Sequence, residues 1–152
     1  MSNPGPASTQ SIHPQGLLTN QALRLIAVGK AVSTAVLGDT AIQTIDVSNF
    51  IPVTVVVANA NNAGANVDVS SVNLGVYTAV SKGGNAILTA AALTSQTTAA
   101  YATVSAASTP NTTETVQTLY VNISSATATA TVDVYVYGYD LSSYPLTNPV
   151  GA

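Results

Sequence analysis

The sequence predicts an all-β protein, an antiparallel β-sandwich that follows an extended N-terminal arm. Two observations support this fold class: short β-rich runs separated by Gly, Asn and Ser, and one long alternation of apolar and polar residues. The chain is also unusually poor in charge. The 152 residues include only three basic and six acidic side chains, whereas charged residues form about a quarter of a typical soluble domain. Short strands with turn residues between them are typical of sandwiches and barrels rather than of α/β units.

The first 20 residues form the predicted arm. They contain Pro4, Pro6 and Pro14 among Ser, Thr, Gln and Asn, a mixture that disfavours helix and offers little apolar surface for packing alone. We therefore divide the chain into an arm (1–20), one sandwich domain (21–143) and a C-terminal tail (144–152).

Nine strands are predicted within the domain. Turn residues separate them, for example Gly38-Asp39 and the hairpin loop from Lys82 to Asn85. The Ala-rich stretch 86–106 is compatible with strands or with one short helix, because Ala favours helix while Thr and Val favour strand. The predicted strands are 23–28, 31–37, 40–47, 51–59, 66–78, 86–91, 98–105, 115–124 and 127–140.

The last strand has the clearest pattern. From Ala126 to Gly138 the even positions are Ala, Val or Gly, and the odd positions are Thr, Asp or Tyr. A strict period of two indicates a strand with one buried face. Residues 118–124 alternate in the same way, and a short turn of small residues follows them, so we predict that the two strands form a terminal hairpin.

The sequence contains few candidate catalytic residues. His13 is the only histidine and lies in the arm, and cysteine is absent. The six acidic residues are separated from one another in sequence, although two of them can still lie close together in the folded chain. Metal sites and acid–base catalysis need converging groups held in place, so we expect no enzyme, no metal and no cofactor.

Two classes of partner are also not expected. Three dispersed cations are too few to neutralise the phosphates of a nucleic acid, and no apolar run approaches the length of a membrane span. The N-terminus lacks a basic start followed by an apolar run, so synthesis in the cytoplasm is expected.

The positions of the tyrosines are the one feature that indicates a functional surface. Aromatic side chains are enriched at protein interfaces, and four tyrosines with one carboxylate lie on the predicted outer face of the terminal hairpin. Alternatively, the tyrosines form a cross-strand ladder on a hydrated sheet face, a second buried layer, or a sugar-binding platform. The carboxylate is either solvated or part of a subunit contact. The candidate contact residues are Tyr120, Asp133, Tyr135, Tyr137 and Tyr139.

Two segments resemble a known protein family. The segment TLYVNISSATATATVDVYVYGYDLS (118–142) resembles the C-terminal hairpin of small decoration, or cement, proteins and related minor capsid proteins of tailed bacteriophages. VNLGVYTAVSKGGNAILTAAAL (72–93) is similar to their strand end and glycine-rich loop. The resemblance covers about half of the chain and implies a jelly-roll-like sandwich, usually trimeric, on the outside of a phage head. The arm resembles the extended arms with which such proteins reach adjacent coat subunits.

The resemblance implies a structural virion protein, located on the capsid surface, that binds the major capsid protein as a homotrimer and stabilises contacts between coat subunits. Two alternatives remain open: a head-fibre base or tail component, and a carbohydrate-binding module that uses the surface tyrosines.

Overall fold

A computed structural model describes residues 23–98, 102–125 and 129–142. These residues form strands and no helix, so the predicted all-β class is confirmed and the Ala-rich stretch contains strands. No helix capable of crossing a membrane occurs among them. The strands are β1 (Arg24–Ser33), β2 (Gly38–Gln43), β3 (Phe50–Asn62), β4 (Ala65–Asn66), β5 (Asn73–Tyr77), β6 (Ala86–Ala92), β7 (Ala102–Ala106), β8 (Thr118–Ser125) and β9 (Thr131–Asp140).

The strands form two antiparallel sheets. In sheet A, β9 lies between β1 and β3, and β7 and β4 pair with β3. Sheet B has the order β2, β8, β5, β6. Consecutive strands mostly alternate between the sheets, so few neighbours in sequence are neighbours in a sheet.

The two sheets bury one continuous apolar core between them, as predicted for a sandwich. Val132, Val134 and Val136 of β9 are fully buried in sheet A, and Leu119 and Val121 of β8 are fully buried in sheet B. The even positions from Ala130 to Gly138 are buried, which confirms the interpretation of the alternation there, and Ala126 and Ala128 lie outside the described residues. In a sandwich, the apolar faces of the two sheets pack against each other and are thereby removed from water.

The predicted terminal hairpin is wrong. β8 pairs with β2 and β5, and β9 pairs with β1 and β3, so these two consecutive strands lie in different sheets. The alternation identifies which face of a strand is buried, but it does not identify the strand's neighbours. The apolar faces of β8 and β9 are each covered by the opposite sheet. Their alternation is therefore the same as it would be in a hairpin.

Three strand predictions also need correction. The predicted strands 23–28 and 31–37 are one strand that ends at Ser33 and is interrupted by a bulge, where Ala31 has a φ of 51°. An extra residue in one strand locally breaks the pairing without ending it. The predicted strand 66–78 is divided into β4 and β5, because residues 67–72 do not pair in a sheet and the chain turns at Ser70 and Ser71.

The predicted hairpin loop around Lys82 to Asn85 does connect two paired strands, β5 and β6. The predicted arm (1–20), the tail (144–152) and His13 lie outside the described residues.

Candidate protein-contact surface

The structure separates the predicted contact residues into two groups. Tyr135, Tyr137 and Tyr139 lie on the outer side of β9 in sheet A, opposite to its buried valines. Tyr120 belongs to β8 in sheet B, between Ala41 and Tyr77 of the neighbouring strands. The prediction that Tyr120 shares a face with the other three tyrosines is therefore wrong, because it depended on the terminal hairpin.

Apolar side chains flank the tyrosines of sheet A on both sides. Tyr135 lies between Val28 of β1 and Val56 of β3, and Val56 is paired in turn with Val104 of β7. This row crosses four of the five strands of sheet A, all except the two-residue β4. Tyr137 lies in the next row between Leu25 and Thr54, and Tyr139 pairs with Ile51. We call this surface the tyrosine face; it comprises Leu25, Val28, Ile51, Thr54, Val56, Val104, Tyr135, Tyr137 and Tyr139.

The tyrosine face is open to solvent in the described part of the chain. Val104 is 68% exposed and Tyr139 is 37% exposed, and the other members are partly exposed. The sequence interpretation missed the contributions of β1, β3 and β7. A signal was present, because the run IPVTVVVAN in β3 is apolar at successive positions, a pattern typical of a strand with two apolar faces.

Asp133 lies at one end of the tyrosine face, where side chains from both neighbouring strands surround it. Lys30 Nζ of β1 lies 2.9 Å from Asp133 Oδ2, and Asn59 Nδ2 of β3 donates to the same oxygen at 3.2 Å. The Ala31 N–H donates to Oδ1 at 2.9 Å. The Tyr135 hydroxyl donates to Oδ2 at 3.3 Å and accepts a hydrogen bond from Lys30. Lys30 Nζ also lies 4.5 Å from the centre of the Tyr135 ring, a cation–π contact.

These contacts change the titration of both charged groups. Burial alone would raise the pKa of Asp133, but the hydrogen bonds from the Ala31 N–H, Lys30 and Asn59 outweigh it and hold the pKa below its usual value. The hydrogen bond to Tyr135 and the interaction with Asp133 raise the pKa of Lys30. Asp133 is only 7% exposed. Of the two interpretations of Asp133, the solvated carboxylate is therefore wrong, and the group bonds the bulge of β1 to β9.

A second ion pair lies at the opposite end of β9. Arg24 Nη1 lies 2.5 Å from Asp140 Oδ2, and Asp140 is buried. Asp140 also accepts a hydrogen bond from the Ser142 N–H at 2.8 Å, as a carboxylate at a strand end can do. Each cation bordering the tyrosine face is thus matched by a carboxylate, and the surface has no net charge.

The outer face of sheet B differs from the tyrosine face because polar contacts already occupy it. The loop after β5 reaches across β8 to β2, where the Ser81 N–H donates to Asp39 Oδ2 at 2.6 Å. Asn122 of β8 donates to the other oxygen of Asp39 at 2.6 Å. The Tyr77 ring covers Gly75 so closely that a Cβ there would lie 2.7 Å from the ring. Sheet B therefore offers less apolar surface to a partner.

The carboxylates do not converge on a common centre among the described residues. No group of three or more His, Cys, Asp or Glu is placed to hold a metal ion there. One surface depression contains a single carboxylate, Asp46, and is lined by Gln43, Thr44, Asp46, Val47, Ser48 and Gln117. Asp133 and the tyrosines do not line it.

Comparisons of the chain with protein-family models, with curated proteins and with solved structures give no match. The functional argument is therefore based on the surface itself.

Proposed function

We propose that this chain is a decoration protein of a phage head, which binds the major capsid protein on the outer surface of the particle and stabilises contacts between coat subunits. The observation that carries the proposal is the tyrosine face, an exposed apolar and aromatic surface that extends over four strands of sheet A. Antiparallel sheets in sandwiches commonly present polar side chains to water, so an apolar outer face needs a partner.

The chemistry of this face suits a protein partner. Tyr135, Tyr137 and Tyr139 offer large rigid side chains that each carry a hydroxyl, and such residues are enriched in interface centres. Because the bordering charges are paired, little charge would have to be desolvated on binding. The energy would come from burial of apolar surface, at about 25 cal/mol per Å².

The strand order supports the jelly-roll part of the proposal. With the two-residue β4 set aside, β1, β9, β3 and β7 form one sheet and β2, β8, β5 and β6 form the other. Jelly rolls have eight strands in two sheets, and viral capsid proteins use this architecture.

The proposed assembly on the particle is a homotrimer. Three equal copies of the tyrosine face would bind cooperatively, because the second and third contacts become intramolecular once the first has formed. With so few charges, the association should depend only weakly on salt.

The test is co-sedimentation with heads that lack this protein. Wild type should co-sediment, and Tyr137→Ser should weaken binding by about tenfold or more, since truncation of a central hot-spot aromatic costs about 2 kcal/mol or more and tenfold corresponds to about 1.4 kcal/mol. Tyr120→Ser is the matched control, because it removes a half-buried tyrosine from the other sheet and should leave binding unchanged.

Two results would contradict the proposal: absence of co-sedimentation by folded wild type, or release of the protein when only monovalent salt is raised to molar levels. Electron microscopy of particles labelled on this subunit distinguishes the outer head surface from a head-fibre base or a tail.

A carbohydrate-binding module is the second candidate. In the part of the chain that the structure describes, the hydroxyls of Tyr137 and Tyr139 make no hydrogen bond, so they are free to bind a sugar. Selective binding on a glycan array that disappears in Tyr137→Ser would favour this function over the decoration role.

A further inference from the structure

We propose that two copies of this chain pair through the free edge of β7, as antiparallel strands related by a two-fold axis at Val104, so that sheet A continues from one copy into the other. The inference goes beyond the proposed function and requires no coat protein. The contact has two-fold symmetry and is therefore separate from the three-fold contacts of the proposed homotrimer. Where both contacts form, the β7 pair joins copies of neighbouring trimers.

The first argument is the direction of the backbone groups of β7. The Ala107 N–H donates to the Val53 carbonyl of β3 at 2.9 Å, and the Ser105 carbonyl accepts a hydrogen bond from the Thr54 hydroxyl at 2.8 Å. The odd-numbered residues of β7 therefore direct their backbone groups to β3. In an antiparallel strand, successive residues direct these groups to opposite sides. The residues whose N–H and C=O groups point to the free edge are Ala102, Val104 and Ala106.

The second argument is that the other sheet edges are protected and the edge of β7 is not. β1 contains the bulge and Lys30, and β2 contains Asp39. Ser108 covers the edge of β6, because its N–H donates to the Ile87 carbonyl and its hydroxyl accepts from the Thr89 N–H, both at 2.8 Å. Charges, bulges and covering segments commonly prevent association between sheet edges. Among the described residues, β7 has none of these and pairs with β3 alone.

The third argument is that β7 is complementary to a second copy of itself. With the two-fold axis at Val104, this residue lies opposite its own copy, Ala102 lies opposite Ala106, and Thr103 lies opposite Ser105. Opposed residues that face the edge exchange both of their backbone hydrogen bonds. All the opposed side chains are small and uncharged, so no like charges meet across the contact. Two-fold contacts between identical surfaces are also the commonest way in which copies of a chain associate.

The fourth argument is the exposure of Val104. Its side chain is 68% exposed and lies on the outermost strand of the tyrosine face. In the proposed pair the two Val104 side chains are cross-strand neighbours on one face, and the two tyrosine faces become one continuous surface. The contact consists of two five-residue strands, so it is small and should be reversible. The amides of β7 should therefore still exchange faster than those of β9.

Disulfide trapping on the full chain tests the contact, since the protein has no cysteine. In the proposed pair the two Val104 Cα atoms lie about 5.5 Å apart, a separation that a disulfide can span. With oxidised glutathione as the oxidant, Val104→Cys should form linked chains about tenfold faster than Val36→Cys at the same sub-millimolar concentration, because pairing raises the effective thiol concentration to the millimolar range. Val36 is the matched control, since its side chain is also 68% exposed. Denaturing gels without reductant measure both rates.

A second pair of variants tests the register. Ala102 and Ala106 of opposite copies should be neighbours, so a mixture of Ala102→Cys and isotope-labelled Ala106→Cys should form the mixed disulfide. Ala102→Cys alone should not exceed the rate of Val36→Cys, because its two copies lie about 13 Å apart along the strands. Mass spectrometry distinguishes the mixed product from the symmetric ones.

Substitutions at Val104 separate backbone pairing from side-chain contact. When both partners of the Ala102→Cys and Ala106→Cys mixture also carry Val104→Pro, the mixed disulfide should be lost. Proline lacks the N–H that points to the partner, whereas the bonds from β7 to β3 remain. Val104→Ala keeps this N–H and should retain most of the cross-linking. Far-UV circular dichroism checks that both variants keep the fold, and if Val104→Pro unfolds, the register mixture decides.

Equal rates for Val104→Cys and Val36→Cys would overturn the proposal, as would retention of the mixed disulfide by folded Val104→Pro. Loss of the disulfide in Tyr137→Ser but not in Val104→Pro would mean that the copies meet through their tyrosine faces, which refutes pairing of the edges. Failure of the protein to bind heads would leave all these results unchanged.

Discussion

Asp133 is an acidic residue on the outer side of a strand that is nevertheless buried. Lys30 and Asn59 extend over it from β1 and β3, and the Ala31 N–H at the β1 bulge donates to it. These partners favour its charged form, since a buried carboxylate without them would be costly. The residue therefore links three strands of sheet A.

Asp133→Asn should destabilise the protein at neutral pH by about 1.5 to 3 kcal/mol, the range for hydrogen bonds to charged groups. Because the pKa of Asp133 is lowered in the folded state, the wild-type advantage should be complete above the unfolded pKa of about 3.9. It should then be lost as the pH falls through the lower folded pKa. Urea unfolding at several pH values between neutral and strongly acidic measures this difference.

Asp46→Asn is the control for the removal of one negative charge. Asp46 is exposed and has a φ of 50°, a conformation that Asn tolerates. A pH-independent difference between wild type and Asp133→Asn would contradict the assignment of the stabilisation to the ionised carboxylate.

The strands of sheet A differ in how completely they are paired. β9 is hydrogen-bonded to β1 on one side and to β3 on the other, whereas β7 pairs with β3 alone among the described strands. β7 contains five residues, ATVSA, with no charge and no proline, although such residues commonly protect sheet edges. The middle of the sheet should therefore be more stable locally than this edge.

Native-state hydrogen exchange should reveal the difference. Amides of Val132 to Val136 in β9 should exchange only on global unfolding, and those of Ala102 to Ala106 in β7 should exchange faster through local opening. The exchange rates are measured by NMR at neutral pH. Equal protection of the two strands would indicate that β7 is covered or that the molecule opens only as a whole.

The whole molecule depends on contact between the two sheets rather than on crosslinks or charge networks. Cysteine is absent, and the described residues contain two ion pairs, both within sheet A. The core consists mainly of Val, Ile and Leu, with one fully buried aromatic residue, Phe50 at the start of β3. Phe50 also exchanges backbone hydrogen bonds with Glu114, which precedes β8 of sheet B.

Phe50→Ala should cost about 3 to 5 kcal/mol because it leaves a cavity between the sheets, a large fraction of the stability of a typical domain. Phe50→Leu removes less volume and should cost less. Val104→Ala shortens an exposed side chain and should change stability by about 0.5 kcal/mol or less. Thermal or urea unfolding measures the stability of all three variants. A small effect of Phe50→Ala would mean that neighbouring side chains fill the cavity left by the ring.

Local patterns predicted part of the candidate surface. The alternation around Tyr135, Tyr137 and Tyr139 placed these side chains opposite to the buried valines, because successive residues of a strand point to opposite faces. The same pattern did not predict the burial of Asp133, whose partners Lys30 and Asn59 are 103 and 74 residues away in sequence. Val104 was not predicted to be part of the surface either, since it joins through pairing with β3.

The sequence by itself determined the all-β class, the absence of disulfides and the inward face of the last strand, because composition and a period of two act through local backbone geometry. Only the tertiary structure decided which strands are neighbours: β8 and β9 are adjacent in the chain but lie in opposite sheets. An apolar strand face is satisfied by any apolar surface that covers it, so pairing depends on the packing of the whole molecule. That packing separates Tyr120 from the tyrosine face and surrounds the other three tyrosines with apolar side chains from β1, β3 and β7.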